Sequence, residues 1–294
     1  ALPEGDETRT FTWEAALGDD PVAMEASTEE RNPRALGLAA GAALAALSTV
    51  AVADIMASAS LTEMRFTLID LRPNDGITPQ VTFESVALDG RPSYIRGTAL
   101  DTFHGGFNYQ QFERSGKTAY GEAADSRAMT RVGASAHVIG GSANQRPGLT
   151  ASGYTHGNLA IRDNAFDAWA YANDAPLEFK LTPYTTLVWS ADYALDTQTT
   201  HGYWNAEDGT ERAFARTTMG FYDGHDRVIE EADHFQYATF RGQDGQTVHN
   251  DGLMSVSVTN RGGDIFSGSM ASSVGVYGEV SGYVGSVPEP STYA

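Results

Sequence analysis

The chain contains no cysteine, which removes disulfides, thiolate metal sites and cysteine nucleophiles together. A chain of 294 residues without them must draw its stability from core size and strand pairing. Bases are also scarce: 19 stand against 38 acids, giving a formal charge of −19 and a pI near 4.6. With no excess of Lys and Arg to displace phosphate counterions, nucleic acid is excluded as a partner, and anionic lipid is disfavoured for the same reason. No proline occurs between Pro183 and Pro288, so nothing there forbids central strands. Helical periodicity is weak after residue 60. Glu113–Met129 is the one stretch that reads as a helix, and Gly116 and Gly121 count against it.

Motifs for catalysis are missing too. H-E-x-x-H, G-x-S-x-G, a P-loop and a G-x-G-x-x-G in a strand–helix context do not occur. Glycosidase chemistry needs two carboxylates at a fixed gap in a cleft, and 38 acids nominate no particular pair. The expectation is a protein that is not an enzyme.

What is present begins with an acidic leader. Residues 1–30 hold nine acids and one base, Arg9, a local charge of 1 − 9 = −8. They are expected to be disordered, or an artefact of the start site, and not a domain. Arg31-Asn32-Pro33-Arg34 then precedes Ala35–Ala53, an apolar run interrupted only by Ser48 and Thr49. A basic start, an apolar middle and small residues at Ala51, Ala53, Ala57 and Ala59 make residues 31–59 a secretory signal peptide, with A-x-A-like cleavage before Asp54 or Ser60. A buried Ala-rich helix is the alternative.

From residue 60 to 286 the texture is short alternating runs broken by Gly, Asn, Asp and Pro. Strands are expected over 65–71, 81–88, 131–139, 166–171, 185–195, 212–222, 234–241, 253–260 and 267–284. The clearest places Leu187, Trp189, Ala191, Tyr193 and Leu195 on one face and Val188, Ser190, Asp192 and Ala194 on the other. Phe166, Ala168 and Ala170 likewise alternate with Asp167, Trp169 and Tyr171. The fold expected is all-β: a single β-sandwich or jelly-roll-like domain, preceded by a signal-peptide helix and a disordered acidic N-terminus.

Two groups are candidate sites. Tyr203 and Trp204, in a polar loop, could present ring faces to sugars, or Trp204 could tuck over the sandwich end as a lid. Asp223, Asp226 and Asp233 lie in the densest acidic segment, where hard oxygen ligands for Ca²⁺ would gather. A solvated acidic turn is the plainer reading, since the recognised Ca²⁺ loop patterns are absent.

The last eight residues carry the most specific feature. Val287-Pro288-Glu289-Pro290 cannot continue a strand or helix. With Ser291 and Thr292 the string resembles the start of the PEP-CTERM sorting signal of Gram-negative bacteria, residues 287–294 here, in which a membrane helix and a basic cluster follow. Those two elements are not within this sequence. Ala57–Leu61 with Phe66–Leu71 and Pro73–Gly76, then Leu181-Thr182-Pro183, Thr185 and Leu187, and finally Ser255–Asn260, are similar to a group of PEP-CTERM proteins. The resemblance implies export through the inner membrane, processing by an exosortase-type enzyme, and a structural or interaction role at the cell surface or in the extracellular matrix, often beside exopolysaccharide. A carbohydrate-binding module and a self-assembling filament subunit are the competing expectations.

Overall fold

Strand alternation that changes parity midway explains how the longest strand reaches the core along its whole length. In β2 (Ala53–Asp70) the buried side chains are first Ile55, Ala57, Ala59 and Leu61, then Met64, Phe66 and Leu68. The switch from odd to even occurs at Glu63, which adopts a left-handed φ of 53°. There β2 slips against its neighbour, with Arg65 opposite Ser190 but Thr62 opposite Asp192. This bulge inserts one residue and returns the second half of the strand to the same face.

The computed structural model describes residues 8–11, 53–83, 92–103, 106–117, 121–140, 147–157, 164–173, 176–199, 209–225, 227–239 and 245–282. These form β1 (Thr8–Phe11), β2, β3 (Val81–Phe83), β4 (Tyr94–Phe103), β5 (Gly106–Ser115), β6 (Ala123–Ala128), β7 (Val132–Ile139), β8 (Gly148–Gly157), β9 (Asn164–Tyr171), β10 (Leu177–Leu181), β11 (Thr185–Gln198), β12 (Gly209–Asp223), β13 (Val228–Thr239), β14 (Thr247–Asn260) and β15 (Phe266–Gly282). One sheet runs β14-β11-β2-β8-β7-β6 and the other β13-β12-β15-β9-β4-β5; β1 pairs with β2, while β10 pairs with β15 and β3. All the pairings are antiparallel. The protein is all-β and sandwich-like, with one sheet strongly curled into a half-barrel.

The helix expected over Glu113–Met129 is not formed. Glu113 lies in β5, which ends at Ser115, Gly116 donates its N–H to the Ser93 carbonyl in the connection, and Ala123–Ala128 is β6. A side chain at Gly116 would lie 2.2 Å from Ser93 Oγ, so this glycine marks a tight approach and not a weak helix. The strand expected over 81–88 is described only as far as Phe83.

The expected boundary between residues 59 and 60 falls inside β2, whose Ala53–Leu61 half pairs with β8. Of the leader, Thr8–Phe11 pairs with Ile69–Phe66, beside the half of β2 that β8 does not reach.

Between the sheets the core is rich in alanine and glycine, and a few aromatic rings fill the remaining space. Phe166 is the clearest case: a Cβ on Gly153 would meet its ring at 2.1 Å, and one on Gly278 at 2.3 Å. Trp189, Phe66, Phe179 and Phe221 form a second buried cluster, with Phe66–Trp189 and Trp189–Phe221 centroids each 5.9 Å apart.

One end of the sandwich is closed by the hydrogen-bonding hub Asn260. Its Nδ2 donates to the carbonyls of Leu181 (3.1 Å), Thr182 (3.0 Å) and Asp264 (2.8 Å). Beside it Tyr184, at a φ of 52°, accepts the Leu71 N–H and lies under the Arg72 guanidinium at 3.7 Å. Three of the sequence stretches that carry the resemblance, around Leu71, Leu181–Thr185 and Ser255–Asn260, therefore meet at this end.

Both seams where the sheets adjoin are stitched by side chains. At β13/β14, Gln236 donates to the Val248 carbonyl, and Glu230 accepts the N–H of Ser257 at 2.7 Å. At β5/β6, Arg114 donates to the Ala124 carbonyl at 3.0 Å and Arg127 to the Gln111 carbonyl at 3.1 Å. These contacts occupy backbone groups on three of the four edge strands, β14, β5 and β6, with β13 contributing the side chains that reach across, which is how sheets blunt edge-to-edge pairing.

Candidate functional site

The two outer faces differ in chemistry. On the sheet containing β2 the outward positions are dominated by hydroxyls. A single cross-strand row reads Ser126, Ser135, Ser152, Ser58, Asp196 and His249 from β6 to β14. Ser135 and Ser152 share a hydrogen bond of 2.7 Å, and Ser58 donates to Asp196 at 3.1 Å.

The end of that row holds Ser, Asp and His together, yet not in a nucleophile-activating order. His249 Nδ1 meets Asp196 at 2.6 Å and its Nε2 meets Asp251 at 3.0 Å. Both ring nitrogens are engaged by carboxylates, and the Ser58 hydroxyl is turned to Asp196 instead of to the imidazole. Activation of a serine requires an imidazole nitrogen facing the hydroxyl. This arrangement instead stabilises an imidazolium: the hydrogen bond to Asp196, helped by the nearby charges of Asp196 and Asp251, raises the pKa of His249.

The outer face of the other sheet is aromatic from one edge to the other. Register places Phe235 and Tyr237 on β13, Phe214 on β12, Tyr277 on β15, Trp169 and Tyr171 on β9, Tyr94 on β4, and Tyr109 and Phe107 on β5 on this side. The four on the edge strands are the most open: Phe107 is 70%, Phe235 60%, Tyr237 55% and Tyr109 51% exposed. The five between them are half-buried. Phe214 and Tyr237 centroids are 4.8 Å apart, Phe235 and Tyr237 5.8 Å, and Tyr94 and Tyr171 5.9 Å.

Trp169 is held flat by a glycine. A Cβ on Gly275, its cross-strand partner, would lie 2.1 Å from Cε3 and 2.3 Å from Cζ3 of the indole. The six-membered half of the indole therefore covers the Gly275 backbone. Tyr171 lies nearly parallel to it, with an interplanar angle of 16° and centroids 6.2 Å apart, an offset pair. Burial raises the Tyr171 pKa, opposed in part by Arg96, whose guanidinium lies 5.9 Å from the ring centroid.

Polar groups between the rings are paired with one another. Arg216 grips Asp233 through two hydrogen bonds of 3.0 and 2.9 Å, which raises the arginine pKa. Arg212 pairs with Glu279, which also accepts from the Tyr277 hydroxyl. Thr98 donates to Asp167, and Thr218 shares a hydrogen bond of 2.8 Å with Ser273.

The sequence-expected sites fare differently. Tyr203, Trp204, Asp226 and Val287–Thr292 lie outside the described residues. Asp223 caps its own turn, accepting the N–H groups of His225 (2.8 Å) and Arg227 (3.0 Å), which lowers its pKa. Asp233 is held by Arg216. It pairs with Thr218, five residues up β12 from Asp223, so the two carboxylates stand about 17 Å apart along the hairpin. The structure does not bring them together, and among the described residues no three His, Asp or Glu side chains are grouped to hold a metal.

Trp169 and Tyr171 share a face, as their alternation indicates, but the role of Phe214, Tyr277, Phe235 and Tyr237 was not foreseen. The available signal was parity: Phe214 alternates with Ala213 and Ala215 in the same register as Arg212 and Arg216, a pattern that points outward. No family model matches the chain, and no curated protein matches it.

Proposed function

We propose that this chain is an exported, non-enzymatic protein of the cell surface or extracellular matrix, carried out by the segment ending near Ala53 and sorted by an exosortase-type enzyme through Val287-Pro288-Glu289-Pro290-Ser291-Thr292. In this reading a signal helix and an acidic leader precede a single jelly-roll-like domain.

The observation that carries the proposal is where the folded strands lie relative to the two signals. The strand β2 begins at Ala53, and Ile55 is fully buried in the core. Cleavage before Asp54 keeps Ile55, Ala57 and Ala59 in the core while removing the short strand Thr8–Phe11 from beside β2, whereas cleavage before Ser60 would remove those three core residues as well. At the other end β15 stops at Gly282, so the proline segment follows the last described strand. Adjacency of the three resemblance-carrying stretches around Asn260 supports treating them as one structural unit.

Fractionation of expressing cells tests the reading. The protein should be recovered from the surface or matrix fraction, and substituting Pro288 and Pro290 by alanine should shift it to the cell envelope or medium. Recovery in the cytoplasm, or a distribution insensitive to those substitutions, would overturn it.

A further inference from the structure

We infer that the aromatic outer face of the sheet β13-β12-β15-β9-β4-β5 is a binding platform for a neutral, extended polysaccharide whose pyranose rings carry equatorial hydroxyls. The inference stands on this face alone and is independent of the export reading.

Shape comes first. From Phe235 on β13 to Tyr94 on β4 the band crosses four inter-strand gaps, about 19 Å. Tyr109 and Phe107 extend it to the far edge. That reach suits several linked sugar rings and exceeds any single monosaccharide. The long axis of such a chain would run across the strands, from the Phe214–Phe235–Tyr237 group, past Tyr277, to Trp169 and Tyr171.

Ring chemistry selects the ligand. A pyranose with equatorial hydroxyls presents apolar C–H faces above and below its ring, which match flat aromatic surfaces, and its rim of hydroxyls needs donors and acceptors alongside. Trp169 and Tyr171 form a nearly parallel pair, and Gly275 fixes the indole flat on the sheet instead of edge-on. Asp167, Thr98, Thr218, Ser273 and Gln111 occupy outward positions between or beside the rings. This mix separates the band from a protein-docking patch, whose centre is depleted of charged residues.

Charge decides between neutral and acidic polysaccharides. Arg212 and Arg216 are each neutralised by a carboxylate of the same face, Glu279 and Asp233. Asp167 and Glu113 add further acids to Arg96's surroundings. A uronate or sulfate would enter a field that already carries more acids than bases, in a chain of net charge −19. A neutral glucan meets no such repulsion.

Affinity electrophoresis of the full chain through gels containing hydroxyethylcellulose or a mixed-linkage β-glucan, with alginate as the acidic comparison, tests this. Retardation is expected in the two neutral gels and not in alginate. Trp169→Ala should weaken it at least tenfold. Because that change could disturb the sheet, Phe235→Ala combined with Tyr237→Ala, on exposed side chains of an edge strand, serves as the second variant. It should weaken retention several-fold with an unaltered thermal transition. No retardation in either neutral gel, equal retardation in alginate, or retention unchanged in both variants would overturn the inference. So would concentration-dependent dimerisation abolished by the double variant, because the face would then be covered by a second copy.

Discussion

The indole of Trp169 occupies the volume directly above Gly275, where a Cβ would come within 2.1 Å of Cε3. A glycine in a central strand ordinarily weakens it; here it creates the seat for a large ring on a solvent-facing surface. Gly275→Val should therefore displace the indole and cost about 1–3 kcal/mol, the range for forcing extra methyl groups into a packed site. Urea denaturation measures the loss, and red-shifted tryptophan emission would report the displacement. Unchanged stability and emission would mean the ring is not seated there.

Asn260 is the corresponding lever at the closed end of the sandwich. Its two amide hydrogens serve three carbonyls, and the residue is 6% exposed. Asn260→Ala leaves the Leu181, Thr182 and Asp264 carbonyls without this donor, a loss of about 1–3 kcal/mol for a buried unsatisfied group. A midpoint shift in chemical denaturation checks it. Asn260→Asp should be at least as damaging, since the donor is replaced by an acceptor.

The His249 cluster gives a pH dependence of fixed sign. Pairing with Asp196 and Asp251 raises the folded-state pKa above the ordinary value of 6.5. Its stabilisation is then fully present below that value and is lost as pH rises through the folded pKa. The stability difference between the native chain and His249→Gln should be larger near pH 5.5 than near pH 8.5, and small throughout because the site is exposed and screened by salt. An equal difference at both pH values would show that the pairing with Asp196 and Asp251 does not raise the pKa of the ring.

Much of this architecture was legible because alternation is strict where one face is buried. Thr185–Leu195 places Leu187, Trp189, Ala191 and Leu195 inward as read, and Ser255–Asn260 alternates as expected. A strand over 234–241 was expected, and β13 runs Val228–Thr239, but its facing was not legible, because its polarity is inverted. Gln236 is buried, donating to Thr197 Oγ1 at 3.0 Å across the seam, while Phe235 and Tyr237 face solvent. Hydrophobic pattern alone assigns those faces the wrong way round, and with them the outer aromatic band. The start of β2 was hidden for a different reason. Ala53, Ala57 and Ala59 are small and apolar and recur at alternate or near-alternate positions, a pattern equally suited to a cleavage region and to the close-packed face of a strand; only the pairing of this segment with β8 and β11 distinguishes them.

That pairing makes the position of the first core strand testable. A chain beginning at Asp54 should unfold cooperatively. One beginning at Ser60 loses Ile55, Ala57 and Ala59 together with their ladder bonds. Removing a buried Ile side chain alone costs about 2–5 kcal/mol, against a typical total of about 5–15 kcal/mol. The shorter chain should be insoluble or molten, by the criteria of lost near-ultraviolet circular dichroism and a broad transition. Equal stability of the two would show that the Ala53–Ala59 half of β2 is dispensable.

The most direct measurement of the whole account is intact mass with terminal sequencing of the protein recovered from the native cell surface. Processing at both signals predicts a first residue at Asp54, so that Ile55 remains in the core, and a last residue within Val287–Thr292. A surface protein that retains Ala1, or one that begins at Ser60 and still folds, would contradict it.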